Sequence, residues 1–273
     1  MKNFQLTIAL GIAFTIINIP YTLQLQALPV NNHLSSVKFI PPPPPPDRSA
    51  AGSRGGAASR GCDAANKTVT ALVPTYQQTL NQSKQVVVPI TQVWGLTNAE
   101  HPYFFFFVPY KASSIANIEF VLQERTNNKS QTLYRTYLIP PESPGIISVH
   151  FPPNKSSLQV GKMYHWFFKV RVQCDHKQPT KLDYADGWVQ RVNQNTTLTE
   201  QLKQATPQQK ATLYAANGIW YDAIVSLAQL RHTNPQNGIL LAEWKTLLYS
   251  VGLGEIANQP LINCCQPRFN NTN

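Results

Sequence analysis

Cys174, Asp175 and His176, followed by Asp183 and Asp186, gather a thiol, an imidazole and three carboxylates in one short stretch. Groups of these types hold Zn²⁺ when four of them converge tetrahedrally. Their spacing matches none of the usual ligand patterns, so the stretch reads as a loop joining two strands. No metal and no other cofactor is expected. Ser35-Ser36-Val37-Lys38 has the S-x-x-K spacing of a serine nucleophile beside a lysine base, but the motifs that accompany that pair are missing. There is no G-x-S-x-G, no H-E-x-x-H and no glycine-rich phosphate loop after a strand. Asp222, next to Trp220 and Tyr221, is a lone acid, expected on a solvated helix face. The thirteen acidic residues are scattered, without the close carboxylate pair that glycoside hydrolysis needs. These absences point away from catalysis and toward binding, with an enzyme of unidentified type as an alternative.

Charge is the clearer signal. The 273 residues carry a formal net charge of +10. Such a balance suits acidic polysaccharides, anionic lipid headgroups or acidic proteins. His165, Lys169 and Arg171 fall on one face of an expected strand, Lys177 and Lys181 follow in the next loop, and Arg191 is expected alongside from a neighbouring strand. The strip could meet an acidic glycan. The plainer reading is an exposed sheet face whose charges prevent aggregation.

What must position these groups begins with an apolar run, Phe4 to Ile19, closed by Pro20. The run has the length of a signal-peptide h-region and falls short of the about 20 residues of a membrane span. Residues 1–27 are expected to be a signal peptide, making the protein exported: periplasmic, in the cell envelope or extracellular. Export argues against a nucleic-acid partner, and no later stretch would span a membrane. Residues 28–61 contain six consecutive prolines and then Gly, Ser, Ala and Arg, which reads as a stiff spacer followed by a disordered linker.

From residue 62 to 196 the signals are β. Short runs at 68–73, 103–108, 118–122, 132–137, 145–151, 163–172 and 187–192 are separated by turn residues. Tyr164, Trp166, Phe168, Val170 and Val172 alternate with polar residues. Leu158-Gln159-Val160-Gly161-Lys162-Met163-Tyr164 has the L-x-x-G-x-x-Y spacing that precedes a strand in immunoglobulin-like sandwiches, where the tyrosine hydroxyl reaches back to upstream backbone. The expected fold class is mixed, β then α: an Ig-like or fibronectin-like antiparallel β-sandwich followed by a short helical segment packed on it. HPYFFFFVPY, His101 to Tyr110, reads as a strand buried on both faces, because neither ring set could be left in water without a large sticky patch.

Residues 197–263 carry helical spacing. Ala211, Tyr214, Gly218, Ala223, Leu227, Leu230 and Pro235 match one tetratricopeptide-like repeat, with Thr206 and Pro207 as N-cap and first turn. A helix from Ile239 to Val251 follows, ended by Gly252. A lone repeat cannot bury its own face, so it must dock on the sandwich. Residues 264–273 read as a disordered tail. The four cysteines, Cys62, Cys174, Cys264 and Cys265, allow three connectivities. Adjacent cysteines rarely bridge, so a bond from Cys62 or Cys174 to one of the other two is expected.

Gly61-Cys62, the segment from Gly95-Leu96-Thr97 to Val108-Pro109-Tyr110, Gly161 to Phe168, Gly187 to Val192, Gly218 to Ala223 and Ser250-Val251-Gly252-Leu253 together carry a resemblance. The chain resembles exported cyanobacterial proteins catalogued as a domain of unknown function, number 928, over nearly all of its expected mature length. The resemblance implies compartment and domain extent, and no activity, ligand or catalytic residue. The expected function is a non-catalytic binding or scaffold role at the envelope or in the periplasm, toward an envelope protein or an acidic glycan. A glycan-binding module, which would expose coplanar Trp or Tyr rings, is the second alternative.

Overall fold

The strands follow the period-two runs, with additions. A computed structural model describes residues 37–43, 45, 50–55, 67–82, 86–126, 129–175 and 177–265. The expected signal peptide, Cys62, His176 and the tail after Cys265 lie outside the described residues. Nine strands come first: β1 (Thr70–Ala71), β2 (Thr75–Gln82), β3 (Val86–Thr97), β4 (Tyr103–Val108), β5 (Ile115–Thr126), β6 (Lys129–Leu138), β7 (Gly145–His150), β8 (Met163–Val172) and β9 (Lys181–Arg191). Four helices follow: α1 (Thr196–Gln204), α2 (Pro207–Ala216), α3 (Trp220–Thr233) and α4 (Gly238–Tyr249). All of them belong to one compact unit.

The strands form a three-stranded sheet, β1-β4-β7, and a six-stranded sheet, β2-β3-β9-β8-β5-β6. Alternation along β8 buries Tyr164, Trp166, Phe168, Val170 and Val172 against the smaller sheet. Phe106 of β4 stacks on Phe168 with centroids 4.0 Å apart, and Phe104 packs on Phe120 at 5.0 Å. Phe105 and Phe107, on the opposite face of β4, are also buried. The expected two-faced strand is present, its second face turned to the helices. Gln159 N–H donates to the Tyr164 hydroxyl at 2.8 Å, pinning the chain just before β8.

Two features depart from expectation. The β2–β3 hairpin had no clear signal, because β2 is rich in Gln and β3 contains Pro89. Proline is tolerated there because residues 86–90 of β3 pair with β2 alone, leaving their other edge without a ladder. The β3–β9 pairing is parallel, Trp94 opposite Trp188, where all-antiparallel pairing was expected. The chain between these strands is long enough to cross to the small sheet and return twice, which makes parallel neighbours accessible.

The larger correction concerns the expected linker. Val37 and Phe39 are buried, Phe39 sits edge-on to Trp220, and Ile40 N–H donates to Ala215 O. Residues 50–55 run as extended chain between β3 and β9. Val93 N–H donates to Ala50 O, Ser53 and Asp186 exchange both main-chain bonds, and Ala71 N–H donates to Arg54 O. Glycine is required here by close approach. A Cβ on Gly52 would lie 2.7 Å from Asp186 O, and one on Gly55 only 2.1 Å from Val69 O. The composition that suggested a floppy linker is that of a chain threaded between two backbones. Arg54, expected in solvent, donates to Val251 O and Gly252 O and so caps the C-terminus of α4.

The helices begin and end as their sequence indicates. Thr206 and Gln209 form a reciprocal capping box at α2, with Pro207 in its first turn. Gly218 (φ 73°) turns the chain from α2 into α3, and Gly252 (φ 71°) ends the last helix. α3 is the link to the sheets: Trp220 Nε1–H donates to Leu72 O, and the Tyr221 hydroxyl bonds to Trp188 O while accepting from Trp166 Nε1–H. Sheets and helices therefore share one hydrophobic core. The cysteine pairing differs from expectation. Cys264 and Cys265 bridge each other, in a chain that turns through a left-handed Cys265 (φ 73°), and Cys174 is itself disulfide-bonded. Neither member of the adjacent pair is left for Cys62 or Cys174. Cys265 is buried, so the expected tail is packed at its first two residues.

Candidate functional site

The expected cationic strip does not assemble. His165 Nε2 lies 2.9 Å from Asp186 Oδ2, and its ring lies flat on Trp188 with centroids 4.2 Å apart. Lys169 sits 3.5 Å from Glu119, which also pairs with Arg135. Arg171 is exposed. Arg191 shares the inward parity of Val189, which pairs with buried Tyr164, and so falls on the opposite face from His165. Its guanidinium donates to Leu158 O and Asn98 O and pairs with Glu100. Three of the four residues are thus engaged, and one belongs to another surface.

The carboxylates near Cys174 also diverge. Asp183 points inward, accepting from Tyr110 Oη–H at 2.6 Å and Val69 N–H at 2.8 Å, and burial pushes its carboxyl up from the usual aspartate range. Asp186 points to the outer face. Among the described residues no group of three His, Cys, Asp or Glu side chains could hold a metal. Asp222, expected in solvent, is buried. It accepts from Thr97 Oγ1–H at 2.7 Å and Asn98 N–H at 3.0 Å, and burial raises its carboxyl to about 6. It staples α3 to the end of β3.

A groove of about 500 Å³ lies elsewhere among the described residues, over the outer face of the small sheet. Tyr103 and Phe105 of β4 and Ile146 and Ser148 of β7 line one side. The facing wall is α3, where Val225, Ala228, Gln229, His232 and Thr233 recur at helical spacing. The third wall is the chain at Leu261, Ile262 and Asn263. It runs parallel to β7, taking Ile146 N–H at Pro260 O and donating from Ile262 N–H to Ile146 O, both at 2.8 Å. Gly145 permits that approach, since a Cβ there would meet Ile262 Cδ1 at 2.4 Å. Tyr103 stacks on His150 at 4.1 Å, and burial lowers the pKa of that imidazole.

The lining has an apolar floor and a rim of amide, hydroxyl and imidazole groups, with no carboxylate, ammonium, guanidinium or thiol side chain. It offers apolar contact and hydrogen bonding. The sequence did not single out Ser148, Gln229, His232 or Asn263, because each is unremarkable locally and only tertiary packing brings them together. The stripe on α3 was readable as a helix face, though not as one that stays partly uncovered.

A family model matches residues 49–261, and the chain therefore belongs to the family described as Domain of Unknown Function (DUF928). The matched span opens beside the threaded chain at 50–55 and closes at Leu261 in the groove wall. No curated protein matches the chain.

Proposed function

We propose that this member of the family is an exported, non-catalytic binding or scaffold protein of the envelope or periplasm, and that it binds through the groove between β4, β7 and α3. The carrying observation is the lining: an apolar floor with a convergent polar rim and no acid or thiol among the groups that face it. The apolar run of residues 4–19 supports export. Among the described residues no helix is long and apolar enough to cross a membrane. An Ig-like sandwich over residues 62–196 is supported by the Gln159 to Tyr164 bond. A tetratricopeptide-like unit within 197–263 is supported by the buried Ala211, Gly218 and Ala223 between α2 and α3. A glycan platform gains less support, because Trp94 and Trp188 are buried beside the 50–55 segment.

The test compares the full chain with Ala228→Trp, which fills the groove, and Gln229→Trp, which obstructs its mouth. Each is immobilised and exposed to envelope extract. Material retained by the wild type and lost from both folded variants supports the groove. Equal retention by all three places binding on another surface and overturns the reading.

A further inference from the structure

Among the described residues the outer edge of β7 is paired only at Ile146. In the β4–β7 ladder Phe107 faces Ile146, Phe105 faces Ser148 and Tyr103 faces His150. Ile146 directs its N–H and C=O away from β4, to Pro260 O and Ile262 N–H. On the far side of β4, Phe105 C=O likewise turns away from β7 and accepts from Leu72 N–H. Alternation then points the N–H and C=O of Ser148 and His150 outward along the same edge as those of Ile146. The chain's own strand pairs only at Ile146, and among the described residues no main-chain or side-chain bond reaches the outward groups of Ser148 and His150 from its continuation. Ser148 lines the groove, and so does Asn263, where the covering strand departs.

Resting on the groove reading above, we propose that the occupant is an extended peptide segment of a partner protein, added as a strand to β7 at Ser148 and His150. Main-chain pairing would hold it, as in other strand-addition complexes. It would continue the edge that Leu261 already occupies at Ile146. Alternate side chains of the added strand then point over the outer face of the sheet, where Phe105, Val225 and Ala228 accept one apolar group. Gln229 and Asn263 at the rim provide amides for the next main-chain groups. The geometry selects for an extended backbone and an apolar side chain at alternate positions, and it is indifferent to charge.

Proline separates this inference from its neighbours. At Ser148 it removes a donor that faces the open edge, and edge strands tolerate that substitution; at Ile147 it removes a donor that faces β4. Ser148→Pro is therefore expected to stay folded, while Ile147→Pro breaks the ladder. The probe is a phage-displayed random dodecapeptide library panned on the immobilised full chain, with enriched peptides resynthesised and titrated. Their affinity should fall about fivefold in Ser148→Pro, the scale of one lost main-chain bond, and about tenfold or more in Ala228→Trp, where the added ring occupies the apolar floor. N-methylation at alternate peptide residues should produce the same loss without touching the protein, and bound peptide should slow amide exchange at Ser148 and His150.

No enrichment on the wild type over Ser148→Pro, or enriched peptides that tolerate both Ser148→Pro and N-methylation, overturns the strand addition. Loss in Ala228→Trp alone leaves the groove as a site and removes only the β-pairing. Binding unchanged in every variant removes the groove as well. Protection of Ser148 and His150 in the free chain that disappears on truncation after Cys265 makes the chain's own terminus the occupant and overturns the partner peptide.

Discussion

Residues 103–108 and 50–55 both run as extended chain against neighbouring strands, and they are held there by different parts of the residue. Tyr103–Val108 is fixed by its rings. Phe104 and Phe106 fill the space between the sheets, while Phe105 and Phe107 turn to the helical side. Each fully buried ring contributes roughly 2–3 kcal/mol of transfer free energy. Residues 50–55 have almost no side chain to bury. They are fixed by main-chain bonds to Val93, Asp186 and Ala71, each worth about 1 kcal/mol net, and by glycines that let three backbones converge. The difference teaches that low hydrophobicity and high glycine content can describe a half-buried chain bonded between backbones as well as one left in solvent.

That contrast can be broken at either end. Phe106→Ala should cost about 4 kcal/mol in urea unfolding, because a ring stacked on Phe168 leaves a cavity the two sheets cannot close. Gly55→Ala adds only a methyl group, yet it should cost on the order of 3 kcal/mol. Its Cβ would lie 2.1 Å from Val69 O, so residues 53–55 must withdraw, with loss of the bond from Ala71 N–H to Arg54 O and of the cap on α4. A Gly55→Ala variant within about 0.5 kcal/mol of wild type, the usual range for a featureless surface site, would mean that the glycine segment is not seated against β1.

The same distinction explains what was legible in the sequence. Side-chain periodicity reports on which face is apolar, so β8, the two-faced β4 and the face of α4 could be read directly. The caps at Thr206 and Gly252 were readable because their chemistry is local. Main-chain convergence leaves no period. Arg54 on the carbonyls of α4, Asp222 under Thr97 and Arg191 on Leu158 O are contacts between residues far apart in the chain, and each residue alone resembles ordinary solvated charge. The groove was unreadable for a related reason. It is the space left where α3, β7 and the chain at 261–263 fail to close completely, and no local pattern encodes an incomplete closure. The adjacent disulfide was misjudged because the left-handed turn at Cys265 is not visible in its residue type.

Within α3 the two modes of holding stand side by side, at Trp220 and Asp222. Burial raises the Asp222 carboxyl from 3.8 to about 6, partly opposed by the bonds from Thr97 and Asn98. The folded chain therefore holds this proton more tightly than the unfolded chain does. The associated stability is fully present below pH 3.8 and is lost as pH rises through about 6, a difference on the order of 3 kcal/mol. Asp222→Asn keeps an acceptor for both donors and removes the titration. Its stability relative to wild type should rise between pH 4 and 7 and then level off, as followed by paired urea midpoints. Asp222→Leu leaves the Thr97 hydroxyl and Asn98 N–H unpaired and should lose about 2 kcal/mol at the acid end of the range, where Asp222 is neutral. A wild type that gains on Asp222→Asn as pH rises would reverse the sign and identify the carboxylate as a stabilising charge.

The smallest effects belong on the outer face of the large sheet, at Lys169 and Arg171, two of the residues that first suggested a binding strip, where no backbone converges on the side chain. Arg171 is exposed and opposite Asn117, so Arg171→Glu should change stability by less than about 0.5 kcal/mol. Lys169 is directly opposite Glu119, so Lys169→Glu sets two carboxylates across the β5–β8 ladder and should cost up to about 1 kcal/mol, less in high salt. Peptides selected on the wild type should bind the double variant as well as they bind the parent, because neither residue lines the groove. A large affinity loss in that variant would return function to this face, and it would have to be electrostatic, falling with the same salt that shields Lys169 from Glu119.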